Sequence, residues 1–580
     1  MREQKKCSMM RETFSLSSVA ASVLTGQVHQ TCAEASVTAN SADSTSEAIQ
    51  MRPQFCTLLT FTTCLLVTLP CTSSAQEVDI LLRGGSVIDG SGSAAIPADV
   101  AIRNQKITHI GNADNVAAAW TIDCEGLVIC PGFIDLHNHS DRQVVNAATR
   151  AAVNYVTQGC TTIVTGNCGS GPVDTGDYYE KIDLHGAGLN VAHLIPQGSL
   201  RERVLGSGNI QPTEQQVEQM LQLSKQAMQD GAWGMSTGLI YVPSSYAPTE
   251  ELIAIARIVA AHGGIYASHI RGEGTMLLKS VDEALQIGRE AELPVHVSHF
   301  KSSGRDAWGL VREAARMIDA ARKTGRMVTA DQYPYIASST SLGATLLPSS
   351  VRAGGTKELI KRLDDTETGP RIRELIRTAI VRRDNGKAVR IARYNPNKKW
   401  VGRNLTDIAT SEDRPAVDIA EEIIRGGGAS VVNFSMSEDD VRHIMAIDWV
   451  ATASDGRAYL PGSDRPHPRN YGTFPRKLAY YSVQEKVLSL ESAVRSMTSL
   501  PAEILRMTDR GLIQEGLAAD ITVFSVNDLK DTATFDNPHQ YATGIRHVFV
   551  NGTPVLHNGK VTGALPGRAL RFPGRNISAR

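Results

Sequence analysis

From about residue 131 to residue 456, the sequence alternates short apolar runs with longer stretches whose apolar residues recur every three or four positions. The short runs are typical of buried strands, and the longer stretches are typical of amphipathic helices. Eight strand-like runs occur, the first in "PGFIDLHNHSD" (131–141) and the last in "DWVATASDG" (448–456). Eight such βα units predict an α/β protein with a TIM-type (β/α)8 barrel, whose functional residues lie at the carboxyl ends of the strands.

The six strand-like runs between these two are "TTIVTGNCG" (161–169), "NVAHLIPQGS" (190–199), "WGMSTGLIY" (233–241), "GIYASHIRG" (264–272), "PVHVSHFKS" (294–302) and "MVTADQYPY" (327–335). Helical patterns cover 213–230, 249–263 and 275–291. Thr213 and Thr249 stand at the start of two of them and are predicted N-caps.

Two further regions are predicted around the barrel of residues 130–507. The stretch from about 338 to 446 is too long for one βα loop, so it predicts an inserted helical subdomain or lid. Residues 77–129 and 508–572 carry alternating runs such as "VDILLRGGSVID" and "IRHVFVNGTPVLHNG". They predict one small β-domain that both ends of the chain build together.

The first 75 residues differ from the rest. Residues 1–50 are rich in Ser, Ala, Thr and Gln, and they predict a non-native or disordered extension, with Met51 as the initiator. The segment from Met51 has a basic start, an apolar run and small residues before Ala75, which is the layout of a secretory signal peptide at 51–75. The run is shorter than the roughly 20 residues that a spanning helix needs. We therefore expect an exported protein without a stable membrane span; an uncleaved membrane anchor is the alternative.

Charge and cysteine content exclude some classes of protein. The chain of 580 residues has 59 Lys and Arg against 60 Asp and Glu, so nothing indicates a nucleic-acid or membrane-surface partner. No feature of the sequence indicates an oligomeric state. After residue 76 the cysteines are Cys124, Cys130, Cys160 and Cys168. This is not a disulfide framework, so each needs another explanation, such as core packing or metal binding.

Metal-ligand residue types follow several of the predicted strands. His137 and His139 are two residues apart and share one face of an extended chain. The set that lies at strand ends is His137, His139, Cys168, His269, His299 and Asp455. Any one of them alone could be an ordinary core residue, but together they predict a zinc site, because zinc binds imidazole, thiolate and carboxylate. Four other histidines are predicted to be ordinary core or surface residues: His193, His262, His296 and His443. His296 is expected on the strand face opposite to His299.

The motifs "GFIDLHNHSD", "GCTTIVTGNCG", "YASHIRGEG", "VSHFKSSG", "ASDG" and "HPRNYGTFPR" occur in this order. In this the sequence resembles the D-aminoacylase (N-acyl-D-amino-acid deacylase) family of the amidohydrolase superfamily, over nearly all of 77–572. The cysteine of "GNCG" is the specific sign, since hydantoinases and dihydroorotases typically have a carboxylated lysine as the bridging ligand. One departure is Asn138, where many members have threonine.

The resemblance implies a β-sandwich beside the barrel and a hydrolase that releases D-amino acids from N-acyl-D-amino acids. It implies a tight zinc on Cys168, His269 and His299 and a second, weaker metal position at His137 and His139. It also implies Asp455 as the catalytic acid and base, and a substrate-binding set of Tyr241, Lys301, Tyr333 and Arg469.

The substrate's side chain is expected to be neutral or apolar. The segment "IASSTSLGATLLP" (336–348) is predicted to shape its pocket, and this segment contains no arginine. A cation could still come from the insertion, for example from Arg352. The sequence is also compatible with three alternative functions: an amidohydrolase that opens a cyclic amide, one that cleaves a D-residue dipeptide, and a metal-binding barrel without activity.

Overall fold

The structure, a computed structural model, describes residues 77–574. The predicted extension (1–50) and signal peptide (51–75) lie outside the described residues. Within 77–574, none of the helices combines the length and the apolar character needed to span a lipid bilayer.

Strands from both ends of the described chain share one sheet. They are β1 (Glu77–Val87), β2 (Ile96–Arg103), β3 (Lys106–Gly111), β4 (Ala117–Asp123), β5 (Val128–Pro131), β18 (Ile521–Phe524), β19 (Ile545–Val550), β20 (Thr553–His557) and β21 (Lys560–Val561). The order is β21-β20-β19-β18-β5-β1-β2-β3, and β4 also pairs with β1. The two terminal segments join where β18 pairs antiparallel with β5.

The second group of strands is entirely parallel. One sheet contains β6 (Phe133–Asp135), β7 (Cys160–Thr165) and β8 (Asn190–His193). The other contains β9 (Ile195–Pro196), β10 (Gly234–Gly238), β11 (Ile265–His269), β12 (Val295–Val297), β13 (Val328–Gln332) and β17 (Val450–Thr452). Only Leu194 separates β8 from β9, so each of the eight predicted runs contains strand structure.

The ends of the first and last of these runs are hydrogen-bonded to each other. The backbone N–H of His139 donates to the carbonyl of Gly456 at 2.7 Å, and the N–H of Asp455 donates to the carbonyl of His137 at 2.8 Å. These bonds bring the residues after β6 and β17 side by side.

Helices connect and cover the parallel strands. They are α1 (Val153–Val156), α2 (Thr175–His185), α3 (Gln197–Leu205), α4 (Glu214–Gln229), α5 (Thr249–His262), α6 (Leu277–Ala291), α7 (Leu310–Lys323), α13 (Glu438–Met445), α14 (Arg469–Arg476), α15 (Leu490–Arg495) and α16 (Ser499–Leu505). A π-helix, Lys477–Gln484, continues α14, and 3₁₀ turns occur at Asn167–Gly169, Ser244–Tyr246, Arg305–Ala307, Asp384–Gly386 and Lys398–Trp400. The apolar faces of α4–α7 pack on β9–β13 in one buried cluster.

One of the two predicted N-caps is confirmed. Thr213 caps α4 in a capping box with Gln216, whose side chain accepts from the Thr213 N–H. The prediction for Thr249 is wrong, because α5 begins at Thr249 itself with Pro248 as the N-cap. The Thr249 hydroxyl instead donates to Glu283 on α6 at 3.0 Å.

The segment expected to be a helical insertion is an α/β unit. Its helices are α8 (Leu342–Leu346), α9 (Gly355–Asp364), α10 (Thr368–Val381), α11 (Leu405–Ser411) and α12 (Ala416–Arg425), and its strands are β14 (Ala337–Ser341), β15 (Val389–Arg393) and β16 (Ser430–Phe434). The strands form an antiparallel sheet in the order β14-β16-β15. The sequence expectation omitted this sheet because β14, with the sequence "ASSTS", has no apolar alternation to reveal it.

Candidate metal centre and active site

The six predicted ligand and acid residues all lie at carboxyl ends of the parallel strands. His137 and His139 follow β6, and His269 ends β11. Cys168 lies in the 3₁₀ turn that follows β7, while His299 and Asp455 lie two and three residues beyond β12 and β17. The structure therefore places all six at one edge of the parallel sheets.

The nitrogen and sulfur atoms of four of these residues meet at one point. The Cys168 Sγ lies 3.2 Å from His137 Nε2, 3.4 Å from His269 Nδ1 and 3.7 Å from His299 Nε2. A tetrahedral zinc with its usual bond lengths separates sulfur from nitrogen by about 3.6 Å and two nitrogens by about 3.4 Å. His269 Nδ1 and His299 Nε2 are closer, at 2.8 Å. The donor types and most of their separations fit a zinc ion.

A second group of donors overlaps the first. His139 Nε2 lies 3.1 Å from Asp455 Oδ1, and His137 Nε2 lies 3.6 Å from the same oxygen. His137 thus faces both Cys168 and Asp455, and it belongs to two of the sets of side chains that could hold an ion. The arrangement can accommodate two neighbouring metal positions, with Cys168 and His137 near the boundary between them.

The charge state of Cys168 suits a metal ligand. Burial by itself raises the pKa of this thiol, but the imidazoles of His137 and His269 outweigh it and hold the pKa well below its ordinary value. The thiolate is the form of cysteine that binds metals. By contrast, burial raises the pKa of the Cys130 and Cys160 thiols, which have no such neighbours.

Three of the site residues have a left-handed backbone. The φ angles are 51° for Cys168, 37° for His299 and 49° for Asp455. Residues other than glycine seldom adopt this conformation, and where it occurs the surrounding structure must stabilise it. The N–H of His299 donates to Asp331 Oδ1 at 2.6 Å, and the N–H of Gly169 donates to Ser236 Oγ at 2.9 Å. These bonds hold the backbone that directs the side chains toward the cluster.

A cavity of about 440 Å³ opens over the cluster, and His139, Cys168 and Asp455 line it. Two of the predicted substrate contacts, Tyr241 and Arg469, line it as well. Arg469 Nη1 lies 2.8 Å from Asp455 Oδ2. The Arg469 guanidinium therefore links the predicted acid and base to the wall of the cavity.

The other two predicted substrate contacts lie behind this wall. Lys301 and Tyr333 line a smaller adjoining pocket together with His299. The Lys301 ammonium is paired with Glu273 and donates to the carbonyl of His299 at 2.7 Å. The Arg469 guanidinium packs over the Tyr333 ring at 4.7 Å from its centroid. Of the four predicted substrate contacts, Tyr241 and Arg469 therefore line the cavity over the cluster, and Lys301 and Tyr333 line the smaller pocket.

Residues 121–556 match the Amidohydrolase family. The chain belongs to the amidohydrolase family. This amidohydrolase is 34% identical over 521 residues to D-aminoacylase from Alcaligenes xylosoxydans xylosoxydans, an alignment that covers 86% of this chain and 98% of that protein. It is 33% identical over 519 residues to N-acyl-D-glutamate deacylase from the same organism, with 86% and 97% covered. The resemblance to the D-aminoacylase family that the motifs indicated is confirmed.

A solved structure agrees with these relatives. The crystal structure of N-acyl-D-glutamate deacylase from Bordetella bronchiseptica, complexed with zinc and a phosphonate inhibitor, matches the amidohydrolase with a TM-score of 0.73 and 31% identity. The match covers 86% of this chain and 100% of that chain. The likeness therefore extends over the parallel strands, the insertion and the terminal sheet.

Two carboxylates beside the metal cluster, the buried Asp331 and the partly buried Glu273, were not predicted from the sequence. Glu273 Oε1 lies 2.9 Å from His299 Nδ1, and Asp331 Oδ2 lies 3.5 Å from His137 Nδ1. Burial raises both carboxyl pKa values, but the neighbouring cations, Lys301 for Glu273 and His137 for Asp331, outweigh it and hold them well below their ordinary range. Two sequence features could have indicated them. Glu273 follows His269 by four residues in "HIRGE", and Asp331 is an acidic residue inside the apolar strand "VTADQ".

The expectation that His296 faces away from His299 is wrong. His296 Nε2 lies 2.8 Å from Asp331 Oδ2, and the other oxygen of Asp331 accepts from the His299 N–H. Strict alternation applies only within a strand, and β12 ends at Val297 before the left-handed turn at His299. Asp331 Oδ2 also lies 3.5 Å from Nδ1 of His137, so the His296 ring lies on the same side of the sheet as the metal cluster.

The insertion forms one wall of the cavity through β14. Tyr241 and Thr340 share a hydroxyl–hydroxyl hydrogen bond of 3.1 Å, and Arg469 Nη2 donates to the carbonyl of Ser339 at 3.4 Å. Arg352, which the sequence suggested as a cation for the substrate, donates instead to the carbonyls of Leu347 and Ile240. The cavity-lining arginine that the insertion supplies is Arg393.

Proposed function

We propose that this amidohydrolase hydrolyses the amide bond of N-acyl-D-amino acids to a carboxylate and a free D-amino acid. The observation that carries the proposal is Cys168 at the centre of a histidine cluster, in a chain that aligns over nearly the whole length of D-aminoacylase and N-acyl-D-glutamate deacylase. The D configuration follows from the names of these relatives, because the geometry alone does not select an enantiomer.

We further propose that the cluster holds zinc, with one tight position at Cys168, His269 and His299 and a second, weaker one at His137 and His139. The donor separations support this, as does the zinc in the Bordetella relative. Zinc bound there would act as a Lewis acid that polarises the scissile carbonyl and lowers the pKa of the attacking water.

Asp455 supplies the proton transfers in this proposal. Arg469 holds its Oδ2, so Oδ1, which faces the metal cluster, is the oxygen assigned to accept the proton of the attacking water and deliver it to the departing nitrogen. His139 and His137 lie beside Oδ1 and orient it. The left-handed backbone of Asp455 and its N–H bond to His137 keep the carboxylate at this point.

Substrate binding is assigned to the four predicted residues in two layers. Arg469 and Tyr241 line the cavity and contact the substrate, with the guanidinium directed at its α-carboxylate. Lys301 and Tyr333 support this layer from behind, because the Lys301 ammonium is already paired with Glu273. A carboxylate fixed in this way sets the position of the scissile amide relative to Asp455.

The test is a substrate screen of the purified protein with its zinc content measured. N-acetyl-D-amino acids are compared with their L forms, a hydantoin, a dihydropyrimidine and a dipeptide with a D residue. Turnover of the D forms supports the proposal. Preference for a cyclic amide or for the dipeptide selects an alternative, and zinc binding without any turnover indicates a metal-binding barrel.

We also propose that the eight parallel strands close into one (β/α)8 barrel and that the terminal sheet curls into a β-sandwich beside it. In support, buried side chains from β6, β7, β8, β11 and β17 share a single cluster, so both parallel sheets contribute to one interior. The terminal sheet has its own apolar cluster, built from both ends of the chain.

Export is proposed from the sequence of residues 51–75 alone, with a mature chain that begins near Gln76. Sequencing the N-terminus of the protein from its native host tests this. An intact segment 1–50 in the isolated protein would refute it.

A further inference from the structure

The cavity over the metal cluster continues into the insertion. Ser341, Arg393 and Ser430 line both this cavity and a neighbouring groove of about 500 Å³, which runs along the segment from Gly426 to Ser430. The cleft therefore extends well past the position of the scissile amide, and groups of the substrate that are remote from the reaction can lie there.

Two arginines in the outer part of the cavity have no partner. Arg393 ends β15, and Arg457 follows Asp455 by two residues; both side chains are exposed and line the cavity. Within residues 77–574, neither guanidinium forms an ion pair or a hydrogen bond. The Arg465 N–H donates to the carbonyl of Ala392 at 2.8 Å, so the segment that carries Arg457 contacts the end of β15 that carries Arg393.

The free edge of β14 adds backbone donors to the same part of the cavity. Next to the β14–β16 pair, the Leu342 N–H donates to the carbonyl of Ala429, and next to the β15–β16 pair, the Phe434 N–H donates to the carbonyl of Ala388. In an antiparallel pair, successive residues point their N–H groups alternately toward and away from the partner strand. By this register, Ser339 and Ser341 turn their N–H groups away from β16. Because β14 is an edge strand, these N–H groups lie on its free edge, and both serines line the cavity.

Three carboxylates, Glu202, Asp455 and Asp464, line the cavity together with three arginines, Arg393, Arg457 and Arg469. Asp464 lines the cavity, but its Oδ1 lies 2.9 Å from His539 Nε2. Glu202, on α3, also lines it and has no cationic partner in the described part of the chain. Asp455 pairs with Arg469, so within residues 77–574 the cavity-lining charges without an ion-pair partner are two arginines, Arg393 and Arg457, and one carboxylate, Glu202.

We infer that Arg393 and Arg457 bind a second carboxylate of the substrate, remote from the scissile amide and distinct from the α-carboxylate. The inference rests on the proposed function and names its substrate class: N-acyl-D-amino acids with an additional carboxylate in the acyl group or in the side chain. Guanidinium groups suit this role because they bind carboxylates through paired hydrogen bonds. A carboxylate in the acyl group is compatible with the expected neutral or apolar side chain, whereas a carboxylate in the side chain would contradict that expectation.

The test compares each acidic substrate with its neutral amide. N-succinyl-D-leucine is paired with N-succinamoyl-D-leucine, and N-acetyl-D-glutamate with N-acetyl-D-glutamine, using the zinc-loaded protein. We expect kcat/KM to favour the acid by about tenfold or more in one pair, the size of one charge-assisted contact. The pair that shows the preference identifies the acyl group or the side chain as the source of the carboxylate.

Arg393→Gln and Arg457→Gln should each lower this acid-to-amide ratio several-fold. Arg382→Gln, an exposed arginine of the insertion outside the cavity, should leave it unchanged. Equal kcat/KM within both pairs, or a preference that survives both substitutions, would overturn the inference while N-acetyl-D-leucine turnover still upholds the proposed function.

If no N-acyl-D-amino acid is hydrolysed, the proposed function fails, and the site is tested by calorimetric titration with glutarate. Weaker glutarate binding by the double variant than by the unmodified protein then supports the carboxylate site. Identical binding by the two proteins would exclude it.

Discussion

Glu273 Oε1 lies 2.9 Å from Nδ1 of His299, while Nε2 of the same ring faces Cys168. A carboxylate that accepts a hydrogen bond from one ring N–H keeps the proton on that nitrogen and leaves the other nitrogen unprotonated, which is the form that binds a metal. Glu273 also pairs with Lys301, so one carboxylate orients a candidate ligand and anchors a neighbouring cation.

We predict that Glu273→Gln lowers zinc affinity or kcat/KM by about 10- to 100-fold, the usual effect of losing a partner of a metal ligand. The amide can still face His299 but no longer carries the charge that holds both neighbours. Zinc titration and steady-state kinetics measure the two effects. Glu290→Gln, on the exposed side of α6, is the control. If Glu273→Gln changes both zinc affinity and kcat/KM by less than threefold, Glu273 does not have this role.

Cys168→Ala should release most of the bound zinc, because alanine cannot replace a soft anionic ligand. Elemental analysis of the purified variant measures this directly. Cys160→Ala is a matched control, since Cys160 is a buried thiol of the same strand–turn segment whose pKa burial raises. Full zinc content in the Cys168 variant would place the metal elsewhere.

Asp455→Asn should keep the fold and the zinc but lower kcat by about 10²- to 10⁴-fold, the range expected for a positioned acid and base. Asparagine retains the shape and the contact with Arg469, but it cannot accept the proton. Circular dichroism and zinc analysis serve as controls for folding and metal content. A loss of less than tenfold would mean that another group transfers the proton.

The strand-end residues could be predicted because each follows an apolar run whose neighbours in sequence identify it. His137, Cys168 and His299 were found in this way. Glu273 and Asp331 were missed, because their importance comes from contacts with side chains on other strands. Arg393 was missed for a similar reason, because it reaches the cavity through the sheet of β14, β16 and β15. The residues paired in that sheet are 37 to 44 positions apart in β15–β16 and 89 to 97 positions apart in β14–β16.

The last prediction concerns a buried lysine outside the active site. Lys477 is 3% exposed, and its ammonium donates to Thr452 Oγ1 at 2.8 Å. Within residues 77–574 it has no carboxylate partner, and burial lowers its pKa to about 7. An unfolded chain keeps the ordinary lysine pKa, so between pH 7 and about 10.4 the unfolded state binds more protons than the folded state. Stability should therefore rise with pH across this range, and the cost of burial should be fully present below pH 7.

Lys477→Met removes this charge, so the variant should be more stable than the unmodified protein at pH 6, by about 1 to 4 kcal/mol. The difference should shrink as pH rises toward 10, where the unmodified protein no longer has to release a proton on folding. Urea denaturation at pH 6 and pH 9.5 measures both values. Lys357→Met, at an exposed position of α9, should show no such pH dependence. If the two proteins differ in free energy of unfolding by the same amount at pH 6 and at pH 9.5, the effect does not come from the charge of Lys477.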